Sequence, residues 1–139
     1  MTSPVPPEGE LPIKSEGDIV VARRAVRDAA TRAGFAPTDV TRIVTAASEL
    51  ARNIFKYAGQ GVMRWTYLSV DNQVGIEIQF IDHGPGIADV DLAMQGGYST
   101  GGGLGLGLSG AKRLMDEMEI QSARGSGTVV TLKKWRRKQ

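Results

Sequence analysis

The sequence predicts an α+β fold: a two-layer sandwich whose mostly antiparallel, mixed sheet is covered on one face by helices. Three observations predict it. Two segments with apolar residues at helical spacing come first, two alternating apolar and polar segments follow, and a glycine-rich stretch then opens a further helical segment before a closing hairpin. Helices gathered on one face of such a sheet form two layers around one core.

Each element has a local reason. Met1 to Glu10 is rich in proline and small residues and is expected to be a flexible segment, with one domain over residues 11–139. Leu11 to Ser15 reads as a short edge strand. Asp18 is a suitable N-cap for a helix carrying Ile19, Ala22, Val26, Ala29 and Ala33, which Gly34 ends. Thr38 or Asp39 can cap a second helix with the stripe Val40, Ile43, Val44, Ala47, Leu50, Ala51, Ile54 and Phe55, ended by Gly59 and Gly61. Val62 to Val70 and Val74 to Ile81 read as strands joined by a turn at Asp71-Asn72-Gln73. Ile76, Ile78 and Phe80 alternate with Glu77 and Gln79, so one sheet face is buried and the other exposed or lightly covered. Leu104 to Met118 reads as a third long helix. Glu119 to Ala123 and Thr128 to Trp135 close a hairpin around Gly125-Ser126-Gly127.

Composition narrows the function classes. The 139 residues, 41% of them hydrophobic, suit one soluble globular domain. The absence of cysteine removes disulfides, thiol nucleophiles and thiolate metal sites, and a single histidine removes a histidine metal cluster. A net charge of +2 argues against a nucleic-acid partner, and the basic ending Lys133-Lys134-Trp135-Arg136-Arg137-Lys138 reads as a solvated tail. No apolar run has the length of a membrane span and no signal peptide opens the chain, so a cytoplasmic location is expected.

Four segments carry chemistry. Tyr98 to Gly110 reads Tyr-Ser-Thr-Gly-Gly-Gly-Leu-Gly-Leu-Gly-Leu-Ser-Gly. Its glycines free backbone N–H groups to face an anion, and the helix that follows presents unpaired donors and partial positive charge at its N-terminus. Glu49 and Asn53 lie four apart on one helical face, where they could share a hard cation, or one could hold Mg²⁺ while the other orients a nucleophile. On this segment alone, two polar residues on a solvated helix face are the favoured account. Asp82-His83-Gly84-Pro85-Gly86 follows a buried strand, so the carboxylate can accept from an exocyclic amine while the glycines let backbone pass close to a planar ring. An ordinary aspartate turn would look the same. Gly125-Ser126-Gly127-Thr128 places a hydroxyl at a strand start, or is simply a hairpin turn. Gly105 to Gly110 also matches G-x-G-x-x-G. No strand directly precedes it, however, and no acidic residue follows Glu119, so the dinucleotide-binding reading fails on context.

Taken in order, Glu-x-x-x-Asn on a helix, Asp-x-Gly-x-Gly after a strand, a glycine-rich lid opening a helix and Gly-Thr on a strand resemble the GHKL (Bergerat-fold) ATP-binding superfamily. The resemblance runs from about Asp18 to the C-terminus. It implies ATP and Mg²⁺ as cofactors, Asn53 as the Mg²⁺ ligand and Asp82 as the acceptor for the adenine amine. It further implies Gly84 and Gly86 around the base, Gly103, Leu104, Gly105 and Gly107 as backbone contacts to the phosphates, and Thr128 supporting the adenine side. Glu49 becomes the catalytic base or orienter of the attacking hydroxyl. Arg52 and Lys56 lie near this face and could pair with phosphate or simply be solvated. Lys112 and Arg113, farther along the last helix, suit partner contact or solvation better than catalysis.

Within the superfamily the chain is most similar to the small serine/threonine kinases of bacterial partner switching. It has no dimerisation helices of a histidine kinase and no transducer domain of a gyrase. Glu49 to Ile54, Tyr57-Ala58-Gly59, Gly84-Pro85-Gly86-Ile87, Ser99-Thr100 and Lys112 to Glu117 are similar to stressosome switch kinases of the RsbT type. That resemblance implies STAS-domain proteins of the RsbS and RsbR kinds as substrates and a PP2C-type phosphatase of the RsbU kind as the partner activated after release. A kinase that mainly sequesters a sigma factor, a nucleotide-binding docking module without turnover and a plain ATPase are the competing readings.

Overall fold

The computed structural model describes residues 8–86 and 104–137. Its elements are β1 (Glu8–Ile13), α1 (Glu16–Arg32), α2 (Pro37–Asn53), a π-helical turn (Ile54–Ala58), β2 (Gly61–Val70), β3 (Gln73–Asp82), α3 (Leu104–Leu114), β4 (Glu117–Ser122) and β5 (Thr128–Trp135). The five strands form one sheet in the order β1-β2-β3-β5-β4, and all four pairings are antiparallel, so the sheet carries no mixed pairing among the described residues.

Local chemistry fixes the boundaries. The edge strand begins at Glu8, three residues earlier than the sequence suggests, and ends at Ile13. Ser15, not Asp18, caps α1: its Oγ accepts the Asp18 N–H at 3.2 Å, and Asp18 Oδ2 accepts the Lys14 N–H at 2.8 Å. This reciprocal arrangement is a variant of the capping box, and it starts the helix three residues earlier than expected. Ala36, not Thr38 or Asp39, is the N-cap of α2; alanine has no side-chain acceptor, and Pro37 opens the first turn, where a missing N–H costs nothing and a fixed φ favours the helix. Asp71 and Asn72, both at positive φ, make a two-residue hairpin turn, so Gln73 already pairs with Val70.

One expectation fails by several residues. The third helix stops at Leu114 rather than Met118, and β4 starts at Glu117 rather than Glu119. Glu117, Met118, Glu119 and Ile120 alternate with period two, and pairing with β5 turns Met118 and Ile120 toward the core.

The sheet's inner face explains where the site lies. Cross-strand partners share a face, so the register defines rows. One row runs Ile120, Val130, Phe80, Met63 and Leu11, and the next Met118, Leu132, Ile78 and Trp65. These two rows are apolar, and α2 covers them with Ile43, Val44, Ala47, Leu50 and Ala51. α1 packs beside α2 through Ile19, Ala22, Val26, Ala29 and Ala30, and α3 adds Leu108, Ala111 and Met115.

A polar row bounds the core at each end. At the far end Lys134 and Tyr67 flank Ile76. The basic ending is not all the solvated tail that the sequence suggests: Lys133 to Trp135 belong to β5, and the buried Lys134 ammonium lies 3.5 Å from Asp116 and 3.9 Å from the equally buried Asp39 in the first turn of α2. Asp39 also accepts from Arg42 at 2.8 Å. The Tyr67 hydroxyl donates to the Ala29 carbonyl at 2.7 Å. Burial, reinforced by the nearby Asp28 carboxylate, raises its pKa above the usual tyrosine value, with Arg32 opposing. The near-end row is Ser122, Thr128, Asp82 and Gly61. No helix among the described residues is long and apolar enough to cross a membrane.

Candidate functional site

The near end of the inner face opens into a cleft under the C-terminal end of α2. Asn53, Ile54, Tyr57 and Ala58 line it from α2 and the π-helical turn, Asp82, Pro85 and Gly86 from the end of β3, and Leu108 and Thr128 from α3 and β5. Leu50, Phe80 and Val130 continue the core into its floor, so the cleft pairs an apolar base with a polar rim. A planar, partly apolar ligand with polar edges suits such a lining.

Strand register sets the rim. Asp82 and Thr128 are direct cross-strand partners, and Ser122 stands opposite Thr128. The Thr128 and Ser122 hydroxyl oxygens are 2.8 Å apart, and Ser122 Oγ donates to the Gly127 carbonyl at 2.9 Å. Asp82 Oδ1 accepts the Gly84 N–H at 2.9 Å, which fixes the carboxylate, while Oδ2 has no hydrogen-bond partner among the described residues. An anchored carboxylate with one uncommitted oxygen in a half-buried cleft is a suitable acceptor for an amine.

Two loops close against each other to form this rim. The Gly125 N–H donates to the Pro85 carbonyl at 2.7 Å. Gly86 and Gly127 both adopt positive φ, and a Cβ at either would run into backbone, the Ala123 carbonyl for Gly86 and the Asp82 carbonyl for Gly127. Glycine is required at both positions by conformation and by space.

On the helical side, Asn53 sits at the last residue of α2. A Cβ built on Gly107 would lie 2.7 Å from Asn53 Nδ2 and 3.1 Å from Oδ1, so α3 approaches the amide closely only because residue 107 is glycine. Asn53 Nδ2 and the Tyr57 hydroxyl are buried without a hydrogen-bond partner among the described residues, and both residues line this cleft. Buried polar groups are rarely left unsatisfied, so two orphans in one cleft indicate a ligand-facing surface. The residues present fit Mg²⁺. That ion binds through one or two protein oxygens, retaining water and taking phosphate oxygens for the rest, and rotating the unpartnered Asn53 amide can present its oxygen. Among the described residues no cluster of three His, Cys, Asp or Glu could form an all-protein cage.

Glu49 lies one turn earlier on α2 and does not line the cleft; it is half-exposed and accepts from Arg52 at 3.1 Å. Lys56 stands over the Tyr57 ring at 5.5 Å. Of the residues expected to form the site, Asn53, Asp82, Gly86 and Thr128 line the cleft, with Gly84 and Gly107 directly behind Asp82 and Asn53. Leu104 and Gly105 begin α3, and Gly103 lies outside the described residues. Tyr57, Leu108 and Ser122 join the site without having been singled out from the sequence. Ser122 could have been found only through the β4–β5 register.

Residues 13–134 match the histidine kinase-like ATPase domain family. The chain belongs to that family. It is similar to the serine/threonine-protein kinase RsbT of Bacillus subtilis (strain 168), with 47% identity over 90% of this chain and 94% of that protein. It is also similar to an anti-sigma F factor of Caldanaerobacter subterraneus subsp. tengcongensis, with 35% identity over 70% of this chain and 71% of the relative. The crystal structure of the RsbU and RsbW domains of Rv1364c from Mycobacterium tuberculosis superposes on 96% of this chain with a TM-score of 0.64 at 19% identity; the match spans about a third (34%) of that longer chain and shows a shared fold. The sequence expectation of a GHKL-type, ATP-using serine/threonine kinase agrees with the family and with the RsbT relative.

Proposed function

We propose that the chain is an ATP-dependent protein serine/threonine kinase of a bacterial stressosome pathway, acting in the cytoplasm on STAS-domain proteins of the RsbS and RsbR kinds. After release from them it activates a PP2C-type phosphatase of the RsbU kind. The observation that carries the reading is the pairing of a nucleotide-suited cleft, holding Asn53 and Asp82, with a carboxylate one helical turn outside it at Glu49. The 47% identity to RsbT supports the kinase class and the pathway.

The chemistry follows from the positions. Asp82 Oδ2 accepts from the adenine amine, with Thr128 and Ser122 behind the same edge. Asn53 would hold Mg²⁺, which when bound neutralises charge along the phosphates. The first turn of α3 offers unpaired backbone N–H groups and partial positive charge to those phosphates. The partner hydroxyl oxygen bonds to the γ-phosphorus, the bond to the β-phosphate oxygen breaks, and Glu49 takes the hydroxyl proton as ADP leaves. Because Glu49 lies outside the cleft and half-exposed, a protein hydroxyl can reach it from solvent.

The deciding experiment incubates the protein, Mg²⁺ and labelled ATP with a STAS-domain protein and, separately, with a sigma factor. Label on a serine or threonine of the STAS protein, lost in Glu49→Ala while ATP binding persists, is the expected result. The anti-sigma F factor relatives favour a second reading, in which tight sigma-factor binding replaces release to a phosphatase. ATP binding with neither transfer nor complex formation would refute both.

A further inference from the structure

The sheet wall of the cleft carries a pair of hydroxyls whose proton direction follows from their partners. Ser122 Oγ lies 2.9 Å from the Gly127 carbonyl oxygen and 2.8 Å from Thr128 Oγ1. A carbonyl oxygen only accepts, so the contact with Gly127 uses the single Ser122 hydrogen. Any further hydrogen bond to Ser122 Oγ is one that it accepts. Both contacts are therefore hydrogen bonds only when Thr128 donates to Ser122, and the hydroxyl directions are assigned on that ground. The chain runs from Thr128 O–H to Ser122 O–H to the Gly127 carbonyl, each bond polarising the next.

This direction has a consequence for the cleft. Thr128 lines it, and with its proton committed to Ser122 it turns only lone pairs toward a ligand. Its direct cross-strand partner Asp82 offers a second acceptor, Oδ2, while Oδ1 takes the Gly84 N–H. The orphaned Asn53 Nδ2 and Tyr57 hydroxyl belong to the opposite, helical wall. Two neighbouring acceptors call for two hydrogens. One amine, with each N–H···O bond near 2.9 Å, joins acceptors about 5 Å apart. Directly paired cross-strand residues stand about 4.5–5.5 Å apart at Cβ, which suits that span. A carbonyl in the same place meets lone pairs from both sides.

We propose that Ser122 is a positioning residue that sets the base preference of the site. By holding the Thr128 proton, it makes this edge accept the amino group of a 6-aminopurine and reject the carbonyl of a 6-oxopurine. The inference rests on the reading of the cleft as the ATP site and adds to it what selects the base. Ser122 does not itself line the cleft and acts through Thr128. Released from Ser122, the Thr128 hydroxyl can turn its proton outward and donate to a 6-carbonyl, so discrimination falls although Asp82 is untouched. A merely structural role reads differently. Ser122 also ties down the Gly127 carbonyl, and loosening that turn would weaken every nucleotide alike.

The test measures the affinity of the full chain for ATP and for inosine 5′-triphosphate, whose base carries a 6-carbonyl, by calorimetric titration in Mg²⁺ without acceptor protein. The wild type should bind ATP more tightly. Ser122→Ala should lower the ratio of the inosine to the adenosine nucleotide's dissociation constant by about five-fold or more, the worth of one neutral hydrogen bond. Ser122→Thr, which keeps the hydroxyl, should retain the wild-type ratio. In a Thr128→Val background Ser122→Ala should leave the ratio unmoved. Thermal unfolding checks that each variant is folded; should Ser122→Ala fail there, Ser122→Cys carries the same expectation, because a thiol is a weak partner. An unchanged or larger ratio in the folded variant, an equal loss of both nucleotides included, overturns the proposal and leaves the ATP site standing, as does a wild type that binds both nucleotides equally. A wild type that binds neither overturns the ATP-site reading and the proposal with it.

Discussion

Replacing Gly107 by alanine separates the stability of this domain from its metal chemistry. The added Cβ would stand 2.7 Å from Asn53 Nδ2, whereas an unstrained contact needs about 3.5 Å, so the amide must retreat by about 0.8 Å. No hydrogen bond holds it among the described residues, since Nδ2 has no partner there. Turning the side chain off its rotamer costs about 1 kcal/mol. Alanine in place of glycine within a helix returns about 0.5–1 kcal/mol. The two nearly cancel, and the melting temperature should move by no more than about 4 °C. Affinity for Mg²⁺·ATP should fall far more. A lost contact to a charged partner is worth about 1.5–3 kcal/mol, which weakens binding by about 10- to 150-fold. Calorimetric titration with ATP in Mg²⁺ and in EDTA, beside thermal unfolding, measures both effects. The loss should appear only with Mg²⁺, and Gly107→Ala should add no further loss in an Asn53→Ala background. Wild-type Mg²⁺·ATP affinity in Gly107→Ala would refute Asn53 as the ligand. A melting point lowered by about 10 °C or more would refute the free movement of its amide.

Other perturbations probe the two polar rows. Asp82→Asn keeps the oxygen that accepts from Gly84, so stability should hold, while ATP affinity falls at least ten-fold as an amide N–H meets the adenine amine; unchanged affinity in a binding titration would remove Asp82 from the base site. Lys134→Met leaves the buried Asp39 beside an apolar side chain and removes the ammonium from the exposed Asp116. Because Asp39 retains Arg42, the loss should lie near the low end for a broken buried pair, about 3 kcal/mol by urea unfolding, and a loss below about 1 kcal/mol would show that the network relaxes freely. Tyr67 has a raised pKa in the folded protein. Its contribution is therefore intact below the unfolded value near 10 and is lost as pH rises through the folded value. Tyr67→Phe should cost about 1 kcal/mol at neutral pH by losing the bond to the Ala29 carbonyl, and should flatten the alkaline fall in stability. An alkaline limb unchanged in Tyr67→Phe would assign that fall to other groups.

Much of this was legible in the sequence, for identifiable reasons. Alternation in Ile76, Ile78 and Phe80 locates β3 to within one residue at each end, because a buried face enforces period two. β5 matches at both ends, since Gly127 before it and the alternation of its residues are local signals. The four chemistry-bearing segments do converge on one end of the fold, apart from the part of the glycine stretch that lies outside the described residues. What local signals could not supply was set by tertiary partners. Met115 and Met118 suit a helix stripe as well as a strand, and only pairing with β5 decides that β4 begins at Glu117. Ser15 displaces Asp18 as the α1 cap because the two act together, and a single-residue reading of the cap misses the pair. The π-helical turn at Ile54–Ala58 has no breaker of its own inside the segment; the Gly59 N–H bonds the Ile54 carbonyl five residues back.

The layout of rows explains why the site can be altered without unfolding the domain. Two apolar rows across the sheet, centred on Phe80 and Ile78, lie under α2 and hold the core. The polar row holding Asp82, Thr128 and Ser122 is the next one outward, where the strands end and α2 has only Asn53 left to contribute. The ligand's apolar part can thus extend the core's own packing over Leu50, Phe80 and Val130, while its polar parts meet groups that the fold does not need for cohesion. The opposite row differs in kind: Lys134 and Tyr67 reach across to Asp39 and to the Ala29 carbonyl, tying the sheet to both helices. Substitutions there should cost stability and spare nucleotide binding, and those at Asp82 and Gly107 should do the reverse. One helix joins the two rows, anchored by Asp39 in its first turn and delivering Glu49 and Asn53 near its last. The ionic network and the reactive end thus lie about 14 residues, or roughly 21 Å, apart on that helix, far enough for each to be altered without the other.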